Sequence, residues 1–289
     1  MIIKLKNFAR KIQRYKKNTL SRIRTNLNYL NHKKVMPRHL FFGHQMHKNC
    51  QYRLAVLNEQ IELYKKYGKN KFVFVEIGNY LGESLEILGE HIHNSLKDNY
   101  LIISIDPYIP FGSPDEEFQN QSERGKRISN IITMKESSDK IYYYFINNIS
   151  HAIFKHNHFH LRMISNDAFK LLKSFNLKID FCYVDGDHYY EHIKDDVENY
   201  STILKSGDNY NGKICGHAYD LTFDEAKETF NFDDKKLNFI LTNNKKKDFL
   251  IFKNNLDKKQ GFHPGITLFF HEIDYKIKKY PSGFWCKFD

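Results

Sequence analysis

No acidic residue occurs in the first 58 positions of this 289-residue chain, although 14 lysines and arginines stand there; the first acid is Glu59. The rest carries 31 bases against 34 acids, a net charge of −3, so the overall +11 belongs to an N-terminal arm. A mildly acidic main body is unlike a domain built to embrace nucleic-acid phosphates. Cysteine is scarce. Cys50, Cys182, Cys215 and Cys286 match no zinc-ligand spacing and give no disulfide framework, so reduced thiols are expected, with Cys182 and Cys215 in strands. No run of about eighteen apolar residues exists, and the N-terminus lacks the unbroken apolar stretch of a secretory signal, which sets the expectation of a cytoplasmic protein. Also missing are a phosphate loop ending in Gly-Lys-Ser/Thr and a dinucleotide pattern of three glycines.

What is present divides into an arm and an alternating series. In the arm, Leu5, Phe8, Ile12 and Tyr15, then Leu20, Ile23, Leu27 and Leu30, recur three and four apart, the period of an amphipathic helix. Two uses are open: a basic face lying peripherally on the inner face of an anionic membrane, or an apolar stripe packing on its own domain or, in a homo-oligomer, on a second copy. Further on, punctuation predicts helix 51–66, strand 72–77, helix 82–94, strand 100–105, a loop near Pro107 to Pro114 and helix from about 126 to 150. The series continues with strands 158–164, 179–184 and 211–216 separated by helices 167–174, 190–204 and 222–230. Strand–helix–strand alternation predicts a doubly wound parallel sheet. Leu237 to Leu241 and Phe249 to Lys253, flanking the polar run 242–248, read as a terminal hairpin. The expected organisation is a basic helical arm over 1–50, a main domain over 51–254 and a cap or hairpin over 255–289.

In such a sheet, ligands sit beyond the carboxyl ends of the strands. The first strand ends in Glu76-Ile-Gly78-Asn-Tyr-Leu-Gly82-Glu-Ser84, where two glycines four apart let the backbone approach a ligand before a helix begins. The second ends at Asp106, a carboxylate able to accept both hydroxyls of a ribose. The third ends near Ser165-Asn-Asp167, the fourth runs into Asp185-Gly-Asp187-His188, and the fifth into Gly216-His217-Ala218-Tyr219-Asp220. His188 and His217 are candidate bases, since an imidazole near its free pKa can take a proton from a hydroxyl.

Four segments, Val75 to Ser84, Ile105-Asp-Pro-Tyr108, Tyr183 to Glu191 and Ile214 to Asp220, resemble class I S-adenosylmethionine-dependent methyltransferases, nearest the branch that modifies sugars and secondary metabolites and includes macrocin O-methyltransferase. The likeness covers about residues 70 to 253. It implies a Rossmann-like α/β fold with a mostly parallel seven-stranded sheet and helices on both faces. It also implies S-adenosylmethionine as cofactor, with Glu76, Gly78 and Gly82 along its methionine end, Tyr80, Ser84 and Asp185 among its contacts, Asp106 on the ribose and Asp167 near adenine. A sugar hydroxyl of a surface polysaccharide or glycosylated metabolite is the implied acceptor, with His188, His217 and Asp185 as the implied catalytic residues.

Metal-dependent members pair the acid after the fourth strand with an acidic motif after the fifth to hold Mg²⁺ or Mn²⁺. Here Asp185 is present but Ala218 replaces the expected acid. Three readings stand: a metal-free enzyme with a histidine base, a relocated site using Asp187 or Asp220, or an Asp-to-Ala variant made to be inactive. A binding protein that retains the fold without its chemistry is the corresponding alternative function. Other signals carry less. His156, His158 and His160 alternate along one strand face but precede the third strand at the wrong end of the sheet, and are expected to form a surface or edge row. His44 and His47 lack a second pair of ligands. Tyr189 and Tyr190 are placed to stack on a sugar.

Overall fold

A computed structural model describes residues 46–109, 138–273 and 275–288. The arm therefore lies outside the described residues, apart from its last few positions, and so does residues 110–137 of the loop and helix expected after the second strand.

The main sheet has seven strands in the order β3-β2-β1-β4-β5-β9-β8. Strands β1 (Phe72–Ile77), β2 (Tyr100–Ile105), β3 (His158–Leu161), β4 (Phe181–Val184) and β5 (Lys213–Gly216) pair in parallel. Strand β9 (Trp285–Phe288) runs against β5, and β8 (Lys276–Lys279) runs against β9. Every residue of β1 and β2 is buried, as befits strands covered on both faces. Alternation along β1 sends Phe72 and Phe74 to one face and Val73, Val75 and Ile77 to the other. The first face is covered by α1 (Met46–Tyr67), α2 (Glu83–Leu96) and α3 (Ser138–Ser150). The second is covered by α4 (Ser165–Ser174), α5 (Tyr190–Ser201) and α8 (Pro264–Glu272). A smaller core joins α6 (Phe223–Phe230), α7 (Asp234–Asn243) and the separate hairpin of β6 (Leu250–Lys253) with β7 (Lys259–Phe262). No helix among the described residues is long and apolar enough to cross a membrane.

Three expectations change. Residues 237–241 are helical rather than a hairpin arm: Asp233 caps the helix by accepting from the Lys236 amide at 2.7 Å, and Leu237 and Leu241, four apart, share its buried face. Strand β6 pairs instead with β7. Residues 255–289 do hold a hairpin, but β8 and β9 complete the main sheet and α8 is core, with Ile266, Phe269 and Trp285 fully buried. The segment is therefore no peripheral cap. The edge is closed by β8, whose lysines Lys276, Lys278 and Lys279 make it a poor template for further pairing. Finally, the expected surface or edge row is an edge row, since β3 is an edge strand, but its His158 and His160 are turned from the surface, both bonding the Ser104 hydroxyl at 2.7 and 2.9 Å. Cys182 and Cys215 lie in strands as expected and, with Cys286, are unbridged and buried.

Candidate active site at the carboxyl edge of the sheet

Hydrogen bonding continues past the strand ends and fixes one edge. Gly78 donates to Ile105, Asp106 to Leu161, Asp185 to Ile77 and His217 to Val184, all at 2.8 to 3.2 Å. Residues 78, 106, 185 and 217 thus meet along one rim, which is where the sequence placed its candidate residues.

The half of the rim on β1 and β2 is held by backbone. Gly78 has φ +80°, and a Cβ there would come within 2.1 Å of the Asp185 carbonyl oxygen, so only glycine fits the close approach of the β1 turn to β4. Gly82, at φ +88°, turns the chain into α2, and Tyr80 is also left-handed, at φ 45°. Asp106 ties this loop down. One of its carboxylate oxygens accepts from the amides of Asn79 (2.9 Å) and Tyr80 (3.0 Å), and the other from that of Tyr108 (2.8 Å). The Tyr108 hydroxyl returns to the Tyr80 carbonyl at 2.9 Å. Of roughly four lone-pair sites on a carboxylate, three are therefore taken. Accepting both hydroxyls of a ribose, as the sequence reading expected, requires the 79–80 turn to give way. Burial raises the Asp106 pKa, while the three amides and Arg162 pull it back. Glu76 lies beneath the turn with no exposure and accepts from the Asn79 side-chain amide at 2.8 Å. Burial pushes its carboxyl up to about 8, against the pull of Ser84, Asn79 and Arg53.

The half on β4 and β5 is held by side chains. Asp185 faces His217 Nδ1 at 3.7 Å, His188 Nε2 at 3.9 Å and Arg53 Nη1 at 4.0 Å, and accepts from the Tyr183 hydroxyl at 3.2 Å. Burial alone would raise its pKa, but the two imidazoles and the guanidinium hold it well below the usual carboxylate range. Arg53 comes from α1, is 2% exposed and stacks over the Tyr183 ring at 4.9 Å. His188 is also bonded through Nδ1 to Asp248 at 2.7 Å. Burial would lower its pKa, yet Asp248 and Asp185 prevail and hold it at about 10. His188 is thus engaged by two carboxylates, one on each ring nitrogen's side. His217 keeps its place beside Asp185, with 28% of its side chain exposed.

Most of the other expected residues have partners of their own. Asp167 is at the start of α4 as expected, but its carboxylate is exposed and paired with Lys170 at 3.2 Å. Asp187 turns to His192 (2.6 Å) and Asp220 to His263 (2.6 Å). Ala218 is 1% exposed within the apolar core at φ 69°. Asp185 is instead surrounded by two imidazoles, a guanidinium and a phenol hydroxyl, a set of neighbours that does not suit Mg²⁺ or Mn²⁺. Tyr190 bonds Glu272 at 2.5 Å, and Tyr189 begins α5 as its N-cap. Arg53, Asp248 and His263 escaped the sequence reading because they lie far along the chain from the motifs they join. Asn79 and Tyr108 sat inside the motifs, but nothing in their spacing marked them as loop anchors.

The described cleft lined by Gln60, Asp208, Tyr210 and Lys213 lies at the amino end of β5, away from this rim.

Residues 75–208 match the family model for a methyltransferase domain. No curated protein matches the chain. Similar solved structures include the TDP-rhamnose 3'-O-methyltransferase CalS11 of calicheamicin biosynthesis, at 13% identity over 86% of this chain and 93% of that one, with a TM-score of 0.40. The O-methyltransferase NovP shares 14% identity over 73% and 78%, with a TM-score of 0.34. An S-adenosyl-L-methionine-dependent methyltransferase named putative, from Methanococcus maripaludis, shares 15% over 84% and 90%, with a TM-score of 0.38.

Proposed function

We propose that the chain, which carries a methyltransferase domain, is a class I S-adenosylmethionine-dependent enzyme that methylates a hydroxyl of a sugar-containing acceptor, with His217 and Asp185 handling the proton. One observation carries this reading: the β4 carboxylate and the β5 imidazole stand 3.7 Å apart on the same rim as the glycine turn and Asp106. The tight turn at Gly78, which admits no side chain, fits a cofactor laid against backbone. Gly78, Gly82 and Asp106 would hold it, with Glu76 supporting the turn from below. When bound, S-adenosylmethionine supplies an activated methyl group, so positioning accounts for much of the acceleration asked of the protein. His217 accepts the hydroxyl proton, and Asp185 steadies the imidazolium that results. The Arg53 guanidinium beside it helps keep Asp185 ionised for that task. Because the residues around Asp185 do not suit a hard divalent ion, no step is assigned to one.

Calorimetry with S-adenosylmethionine and its demethylated product is the first test; no heat at millimolar concentration sinks the reading. The second is methyl transfer to nucleotide-linked and glycosidic sugars, with and without chelator. Chelator-insensitive turnover that His217→Ala abolishes and His188→Gln leaves measurable is the expected result. Cofactor binding with no turnover on any sugar would point to a binding protein instead.

A further inference from the structure

Beyond the rim, the tertiary fold brings together three residues from separate elements: His188 from the turn after β4, Asp248 from the turn before β6, and His263 at the start of α8. Each offers a ligand atom, and these atoms lie within 4.8 Å of one another. The packing that gathers them is tight: a Cβ on Gly265 would come within 2.3 Å of the His188 carbonyl oxygen, and the two imidazole centroids are 4.3 Å apart. We propose that His188, Asp248 and His263 bind one divalent transition-metal ion, of which Zn²⁺ is the best fit. This site is distinct from the carboxylate pair expected around Asp185 and position 218.

Two imidazoles and one carboxylate form a donor set suited to zinc and its neighbours rather than to Mg²⁺ or Ca²⁺, and bonds of about 2.0–2.2 Å bring three such atoms to one centre with modest closing of the turns. A second observation points the same way. A metal-bound histidine characteristically directs its other ring nitrogen at a carboxylate. His263 does so, with Nδ1 on Asp220 at 2.6 Å, leaving Nε2 as its ligand atom. His188 does so in outline: Nδ1 is beside Asp248, while Nε2, sealed from water and with no partner within bonding distance, faces Asp185 at 3.9 Å. Three carboxylates thus converge on two rings. The Asp248 side chain is 54% exposed, which gives an ion a way in. An ion there would fasten the turn carrying Asp185 to the C-terminal segment.

The test is titration of the full chain, stripped with chelator, using Zn²⁺ by calorimetry and Co²⁺ by visible absorption. One ion per chain, with the intense d–d bands of a four-coordinate site, is expected. His263→Gln and Asp248→Asn should each remove it while leaving the circular-dichroism spectrum intact, and Asp220→Asn should weaken it about 10–100-fold. The proposal is overturned if stripped wild-type protein shows no saturable binding, or if binding survives in both variants, which would place the ion elsewhere, such as at His44 and His47. No methyl donor is needed, so failure here leaves the assignment of methyl transfer untouched.

Discussion

The two halves of the rim hold their carboxylates by different means. Asp106 is gripped by three backbone amides from residues within reach of two neighbouring turns, whereas Asp185 is surrounded by side chains from α1, the β4 turn and the β5 turn. Amides cannot titrate or be substituted, so the first half is fixed by chain path. The second is adjustable residue by residue. A cofactor common to many reactions suits the fixed half, and an acceptor that differs between enzymes suits the adjustable one.

The largest expected effect breaks the fixed half. Gly78→Ala forces a left-handed Cβ into the Asp185 carbonyl, and should cost on the order of 3 kcal/mol of stability in denaturant unfolding and abolish cofactor binding. An undiminished midpoint would mean that the β1 turn is looser than its contacts indicate. Arg53→Met tests the adjustable half. It leaves Asp185 without its nearest permanent cation and should destabilise by about 2 kcal/mol, with cofactor affinity nearly unchanged. Equal losses of stability and affinity would merge the two halves into one unit.

Asp106→Ala should weaken S-adenosylmethionine by about 1.5–2 kcal/mol in calorimetry. Since three lone-pair sites already serve the loop, Asp106→Asn should recover little of that loss. Full recovery would show that the ribose, and not the loop, is what Asp106 serves.

The smallest effect is a slope. Glu76 holds its proton to about 8 in the folded chain but releases it near its ordinary 4.5 when unfolded. The stability this proton brings is complete below about 4.5 and drains away as pH rises through about 8. Asp196, which burial pushes up to about 7, adds a slope of the same sign. Glu76→Gln should flatten the fall between those limits without removing the Asp196 part. Identical wild-type and variant profiles would put the buried proton elsewhere.

Much was legible from sequence because it is local. The fully apolar runs 72–77 and 100–105 are strands at those bounds, and the left-handed glycine turn follows from Gly78 and Gly82. What misled was local ambiguity. Leu237 and Leu241 suit either a strand or a helix face, and only the Asp233 cap and the packing of α7 on α6 and α8 decide it. Likewise His158 and His160 alternate as any strand row would, and their inward aim depends on Ser104 lying on the neighbouring strand. The sequence by itself determined a parallel α/β sheet and which residues end its strands, since hydrophobic period and turn chemistry act over a few residues. Tertiary structure alone decided the electrostatics: that Arg53 reaches Asp185, that Asp248 pairs with His188, and that His263 stands against it. Charges interact through space and burial, and neither is written in spacing along the chain.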